Sequence, residues 1–222
     1  MGYRFPEAGL SFLADLSINN NKEWFHQNKV RYERDLKQPA RDLVEAVNGE
    51  LSRISPGHVT PPNKAVNRIN RDIRFAKDKT PYNTKVWAGF SDQGAPKGSS
   101  AGFYFGFSLE RVGVGCGLWA PDKERLERMR AHFAAHYARY YELAERQGFA
   151  KTYQGGQSPR LVRVPKPYEP DHPAAELLKL KGMHVSTELN PALITSEELV
   201  PTIGKHFEQL APLVALLGEA MS

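Results

Sequence analysis

Apolar positions recur along the chain with two different periods. In residues 9–16 they follow helical spacing, and from Trp24 the positions Phe25, Tyr32 and Leu36 continue it until Gln38-Pro39 interrupts. Leu43, Val47, Leu51 and Ile54 then mark a further amphipathic stretch, which Ser55-Pro56-Gly57 stops. Asn20 followed three residues later by Glu23 has the form of a capping box at the head of the second helix. The N-terminal quarter is therefore expected to be helical. Between residues 102 and 119 the period falls to two. Phe103, Phe105, Phe107 and Leu109 alternate with Gly102, Tyr104, Gly106 and Ser108, and Val112, Val114, Cys116 and Leu118 alternate with Gly113, Gly115, Gly117 and Trp119. This predicts a β-hairpin. With Glu110 and Arg111 as its turn, Leu109 faces Val112, Phe107 faces Val114, Phe105 faces Cys116 and Phe103 faces Leu118. That turn lacks the favoured glycine or asparagine, so a one-residue slip stays open.

Further along, Pro121-Asp122 caps a long helix striped by Leu126, Met129, Phe133, Tyr137 and Tyr140, which ends before Gly148. Residues 149–153 and 161–164 read as short strands around Gly155-Gly156, 173–180 as a short helix and 185–189 as extended. Residues 196–217 carry a terminal helical pattern broken or kinked near Pro201 and Pro212. Helices at both ends of a mostly antiparallel sheet predict an α+β fold, a single domain over residues 1–222, with no repeat or linker arguing for a second.

Charge changes this picture more than composition does. The 222 residues are 41% hydrophobic and 25% charged, ordinary for a folded domain, with 30 Lys and Arg against 25 Asp and Glu. Residues 64–85 hold seven of those cations, Lys64, Arg68, Arg71, Arg74, Lys77, Lys79 and Lys85, against only Asp72 and Asp78. The rest of the chain balances to zero. A local excess on a neutral scaffold points to a defined anion site. In residues 68–75, Ile69, Ile73 and Phe75 share one strand parity while Arg68, Asn70, Asp72 and Arg74 share the other. Arg71 falls on the apolar side, where it needs a bulge or a carboxylate partner. The planar fork of arginine matches phosphate and carboxylate oxygens in pairs, and lysine adds a compact charge.

Four stretches carry a family resemblance: Asn19-Asn20-Asn21-Lys22-Glu23-Trp24-Phe25, the run RINRDIRFAKDKTPYNT from Arg68 to Thr84, Gly117-Leu118-Trp119-Ala120-Pro121, and Val164-Pro165-Lys166 leading to Asp171-His172-Pro173. In this order, across nearly the whole chain, the sequence resembles the uncharacterised family known as domain of unknown function 2461. It departs from the family's habit at Asn70, where an aromatic residue is usual, at Ala76, where serine is, and at Pro167, where glycine is. The resemblance implies an intracellular protein of bacterial or fungal type and carries no established activity, so any chemistry rests on the residues themselves.

These residues lead to a pocket for a small phosphate- or carboxylate-bearing ligand, built by Arg68, Arg71, Arg74, Lys77, Lys79 and Tyr82, with Arg163 and Lys166 contributing from later in the chain. Asp72 and Asp78 orient the arginines, or one of them serves as a base, and His172 is a further candidate. In an enzyme such cations would serve phosphoryl or acyl-phosphate chemistry by stabilising developing charge. Two alternatives stand beside it. One is a noncatalytic nucleic-acid-binding module, with Tyr82, Tyr104 or Trp119 stacking on bases. The other is a structural ion-pair network without a ligand, in which Arg71 pairs with Asp72 or Asp78.

Other features add little. No Walker loop, dinucleotide fingerprint or HExxH occurs, and no motif identifies a cofactor. His132 and His136 stand one helical turn apart without a matching acid, which favours a groove-lining pair over a metal site. Cys116 lies on the core parity and reads as a buried, inert thiol. The glycines at 113, 115 and 117 leave one sheet face nearly bare between Tyr104 and Trp119, a surface for a packed helix or, less commonly, a ligand floor. No run reaches the length of a membrane span and no secretory leader opens the chain, so a cytoplasmic protein without a membrane partner is expected. The oligomeric state is not written in the sequence.

Overall fold

The structure, a computed structural model, describes residues 2–94, 100–146, 148–155 and 158–221. Helix α1 (Glu7–Ile18) is followed by α2 (Lys22–Gln27) and the single turn α3 (Lys29–Arg31). The N-cap of α2 is Asn21, one residue later than the capping-box reading, because it is the Asn21 side chain that accepts from Trp24 N at 2.9 Å. The Asn20 side chain is used elsewhere. After α3 the chain passes through a π-helical turn, Tyr32–Lys37, and straight into α4 (Gln38–Ile54). Pro39 does not end this path: it follows directly on the π turn, whose last backbone bond runs from Gln38 N to Glu33 O, and the chain stays helical through Lys37 and Gln38. Asp35 holds the π turn from inside: it is 7% exposed and accepts from Arg34 Nε at 2.5 Å and Arg34 Nη2 at 2.8 Å. A Cβ at Gly9 would press on the Asp35 carbonyl, so α1 packs directly against this turn.

After α5 (Pro62–Ala65) and the basic segment come β1 (Val86–Ser91), β2 (Gly102–Phe107) and β3 (Val112–Leu118). The rest of the chain supplies α6 (Lys123–Glu145), α7 (Phe149–Thr152), β4 (Gln154–Gly155), α8 (Ala175–Leu178), β5 (Met183–Leu189) and α9 (Leu199–Glu219). The strands pair antiparallel in the order β1-β2-β3-β5-β4, giving a single-domain α+β fold. α9 packs on β2 and β3, with Phe207 against Phe90 at 5.7 Å and Phe103 at 4.8 Å, and α4 packs behind α9.

Several elements differ from the sequence reading for definable reasons. The hairpin register is offset by two residues: Phe107 faces Val112, Phe105 faces Val114 and Phe103 faces Cys116. The turn takes four residues rather than two, closed by Ser108 N donating to Arg111 O at 2.8 Å, with Ser108 Oγ accepting from Glu110 N and Arg111 N at 3.3 Å. A two-residue offset keeps every side chain on its own face, so the inward set survives while Leu109 moves to the tip and is 41% exposed. β1 adds a strand outside the expected hairpin, with Val86, Ala88 and Phe90 alternating inward as a strand requires. Residues 149–152 are helical rather than extended, and residues 161–164 make no strand; Arg160 forms a single bridge to Leu180 instead. Gly156, on which that reading turned, lies outside the described residues. α9 runs as one helix with Pro201 in its first turn, where N–H groups have no helical partner anyway, and with Pro212 inside it. The departure from helical geometry falls in α6, at His136 (φ −127°, ψ 21°).

Candidate functional site

Residues 68–75 do not form the expected strand. The chain doubles back on itself: Arg71 N donates to Pro81 O at 2.9 Å, Asn83 N to Ile69 O at 2.7 Å, and Asn70 bridges Tyr82. Ile69 and Tyr82 are buried at the base of this loop, whereas the backbone turns at Ile73, whose carbonyl accepts from Ala76 N, and throws Phe75 out to 95% exposure. Asn20 fastens the base to the N-terminal helices. Its Nδ2 donates to Tyr82 O at 2.9 Å and its Oδ1 accepts from Tyr82 N at 3.0 Å, so one amide side chain acts as a short length of strand.

At the tip the charges answer one another. Arg71 Nη1 donates to Asp78 Oδ2 at 2.6 Å, to Thr80 O at 3.0 Å and to Thr80 Oγ1. Arg74 meets Asp72 through Nε at 3.0 Å and Nη2 at 2.7 Å, and Lys79 Nζ caps the Ile73 carbonyl at 3.0 Å. Donation from the Thr80 amide, the Arg71 guanidinium and the Thr80 hydroxyl holds the Asp78 carboxyl down at about 2, and Arg74 lowers that of Asp72. Both acids thus orient arginines. Lys77 is exposed on the same tip.

The loop base opens onto a different arrangement. A cleft of about 770 Å³ lies between α2, the π turn, the start of α4 and residues 66–70. Its floor is the stacked pair Phe25 and Tyr82, with ring centroids 4.0 Å apart and planes at 20°, and Tyr32 stands 5.2 Å from Phe25. Burial, with help from Glu33, pushes the Tyr32 hydroxyl up to about 12, which leaves it a neutral donor. Lys37 is neutralised by Glu33 at 2.7 Å. Lys22, Lys29, Arg41 and Arg68 also line the cleft, and among the described residues these four make no side-chain hydrogen bond or ion pair. A second hollow of about 680 Å³ adjoins it, sharing Arg68, Asn63 and Asn67, and is lined also by Lys64, Arg71 and Asp72.

Of the residues singled out in the sequence, Arg68 and Tyr82 therefore meet in the cleft, Arg71 and Asp72 border the adjoining hollow, and Arg74, Lys77, Lys79 and Asp78 line neither. Arg163 and Lys166 are exposed on the loop between β4 and α8 and line neither hollow. His172 precedes α8, where its Nδ1 accepts from Ala174 N at 3.0 Å, a local capping bond rather than the placement of a base in the cleft. His132 Nδ1 lies 2.9 Å from Tyr140 Oη and its Nε2 3.6 Å from Glu219. Cys116 is fully buried, and burial pushes its thiol well above the usual range. Lys22, Lys29 and Arg41 escaped the sequence reading. The first two stand seven residues apart, close to two helical turns, which is the spacing of one face.

A helix-covered antiparallel sheet with a basic, aromatic-floored cleft at its N-terminal side defines the class of protein. The family described as conserved hypothetical protein (DUF2461) matches residues 8–215, nearly the whole chain, and the chain belongs to it. No curated protein and no solved structure matches the chain. No helix is long and apolar enough to cross a membrane among the described residues.

Proposed function

We propose that the protein binds a small phosphate- or carboxylate-bearing ligand in the cleft between α2, the π turn and residues 66–70. The reading keeps the ligand class indicated by the basic segment but moves its centre. Lys22, Lys29, Arg41 and Arg68 supply the charge, and the Phe25–Tyr82 stack offers a flat apolar floor to a ring. The observation that carries the proposal is the contrast among neighbouring cations: among the described residues these four make no ion pair, Arg68 acting on Asp72 only at longer range, whereas Lys37, Arg71 and Arg74 each make one. Cations held around one hollow repel one another, and an entering anion relieves that repulsion while gaining charge-assisted hydrogen bonds. The π turn that lines the cleft is a feature frequent at functional sites.

Thermal-shift and calorimetric titration against inorganic phosphate, sugar phosphates, nucleoside monophosphates and dicarboxylates tests this. Selective stabilisation by one of them, about 2.7 kcal/mol at a hundredfold excess over Kd, supports it. Indifference to every anion in the series would remove it.

A further inference from the structure

The sheet has a second face, turned away from α9. On it Trp87, Tyr104, Trp119 and His184 form a row across four strands or their ends, with successive ring centroids 5.8, 5.4 and 3.9 Å apart. The glycines explain the row. A Cβ at Gly106 would collide with the Trp87 ring and one at Gly115 with the Tyr104 ring, so the bare backbone seats the protein's own aromatics rather than a packed helix. Trp119 is 57% exposed, and it lies between Gly117 at φ +149° and Ala120 at φ +44°, two backbone conformations that disfavour side chains. Lys85 Nζ sits 5.5 Å over the Trp87 ring.

This face is continuous with the basic cleft. Asn67 N donates to Trp87 O at 2.8 Å, binding residues 66–67 to the edge of β1. Asn63 and Asn67 consequently line the cleft, the adjoining hollow and a third hollow of about 910 Å³ over the aromatic row. Lys64 and Lys85 border this third hollow without an acid partner, and Asp92 is its one carboxylate among the described residues. One trough thus carries six cations that make no ion pair among the described residues, Lys22, Lys29, Arg41, Arg68, Lys64 and Lys85, and leads onto an aromatic row that is half-buried at Trp87, Tyr104 and His184 and exposed at Trp119.

We infer that the trough binds single-stranded nucleic acid, phosphates along the cations and unpaired bases stacked on Tyr104 and Trp119. This goes beyond the small ligand of the proposed function and rests on that reading only for the affinity of the cleft for phosphate, which it assigns to a sugar–phosphate backbone. The cations match a polyanion, and the exposed Trp119 with the half-buried Tyr104 beside it matches bases whose faces are free, which a duplex does not offer.

Fluorescence anisotropy with labelled oligothymidylate and oligouridylate, the same strands annealed to their complements, and thymidine monophosphate separates the cases. Single strands are expected to bind more tightly than duplex, with a log–log salt slope of about −3 for four or five phosphate contacts. Trp119→Ala is expected to weaken binding about tenfold at an unchanged melting temperature, with Trp119→Phe retaining most of it. Equal affinity for duplex, or no loss in Trp119→Ala, overturns the inference. Binding of monophosphate with no gain for the oligonucleotide overturns it while leaving the cleft as a small-anion site. Failure of the oligonucleotide together with inorganic phosphate, sugar phosphates, nucleoside monophosphates and dicarboxylates overturns both.

Discussion

The two ends of the basic segment behave differently although their compositions are alike. At the tip, Arg71 and Arg74 find Asp78 and Asp72 within seven residues, and a threonine and a carbonyl complete the arginine's contacts. At the base, Arg68 borders the same hollow as Asp72 without forming an ion pair with it, and shares the cleft with Lys22, Lys29 and Arg41 from another part of the chain. The difference teaches that the number of cations in a stretch says little about binding. What decides is whether the backbone brings an acid to each before a ligand does, and an alternation of Arg and Asp along a tight loop ensures that it does.

This contrast can be broken by substitution. The largest effect is expected from Asn20→Ala, which removes both bonds to the Tyr82 backbone and leaves that peptide unpaired. Chemical denaturation should show a loss of about 2 kcal/mol, and phosphate affinity should fall with it because Tyr82 no longer lies against Phe25. Arg68→Ala should come next: about tenfold weaker phosphate binding by calorimetry with an unchanged denaturation midpoint. Arg71→Ala should do the reverse, costing about 1 kcal/mol of stability while ligand affinity is kept. If Arg68→Ala unfolds the protein and Arg71→Ala abolishes binding, the roles assigned to base and tip are exchanged.

Acid sharpens the same comparison. The Asp78 carboxyl is depressed in the folded protein, so its contribution is present in full above the ordinary carboxylate range and is lost as pH falls towards about 2. The protection of the Thr80 amide relative to its intrinsic exchange rate should therefore fall across that window, and the Asp78→Asn variant should lose the dependence. The smallest effect belongs to Arg74→Ala. Both it and its partner Asp72 are exposed, so the denaturation midpoint should not move measurably.

How much of this was legible beforehand depends on the range of the interactions involved. The Asp122 cap of α6, whose side chain accepts from Arg125 N, and the stop of α4 at Ser55 are local and were readable. So was the burial of Cys116, since parity alone assigns it to the core face. The Asn20–Tyr82 link spans 62 residues, and nothing in either neighbourhood announces it. The cleft was half visible: Arg68 and Tyr82 stood out within a charged run, while Lys22, Lys29 and Arg41 lie outside that run on separate helical segments.

Within the strands of the hairpin and the capped helices the sequence by itself determined which side chains face inward, because period and capping act over a few residues, and it determined that the net charge resides in one stretch. Only the tertiary structure decided the partner of each strand residue, the seating of Trp87 and Tyr104 on glycines, and which cations stay unpaired. Those outcomes depend on distances between groups far apart in the chain, and an ion pair forms or fails within a few ångströms that no local pattern specifies.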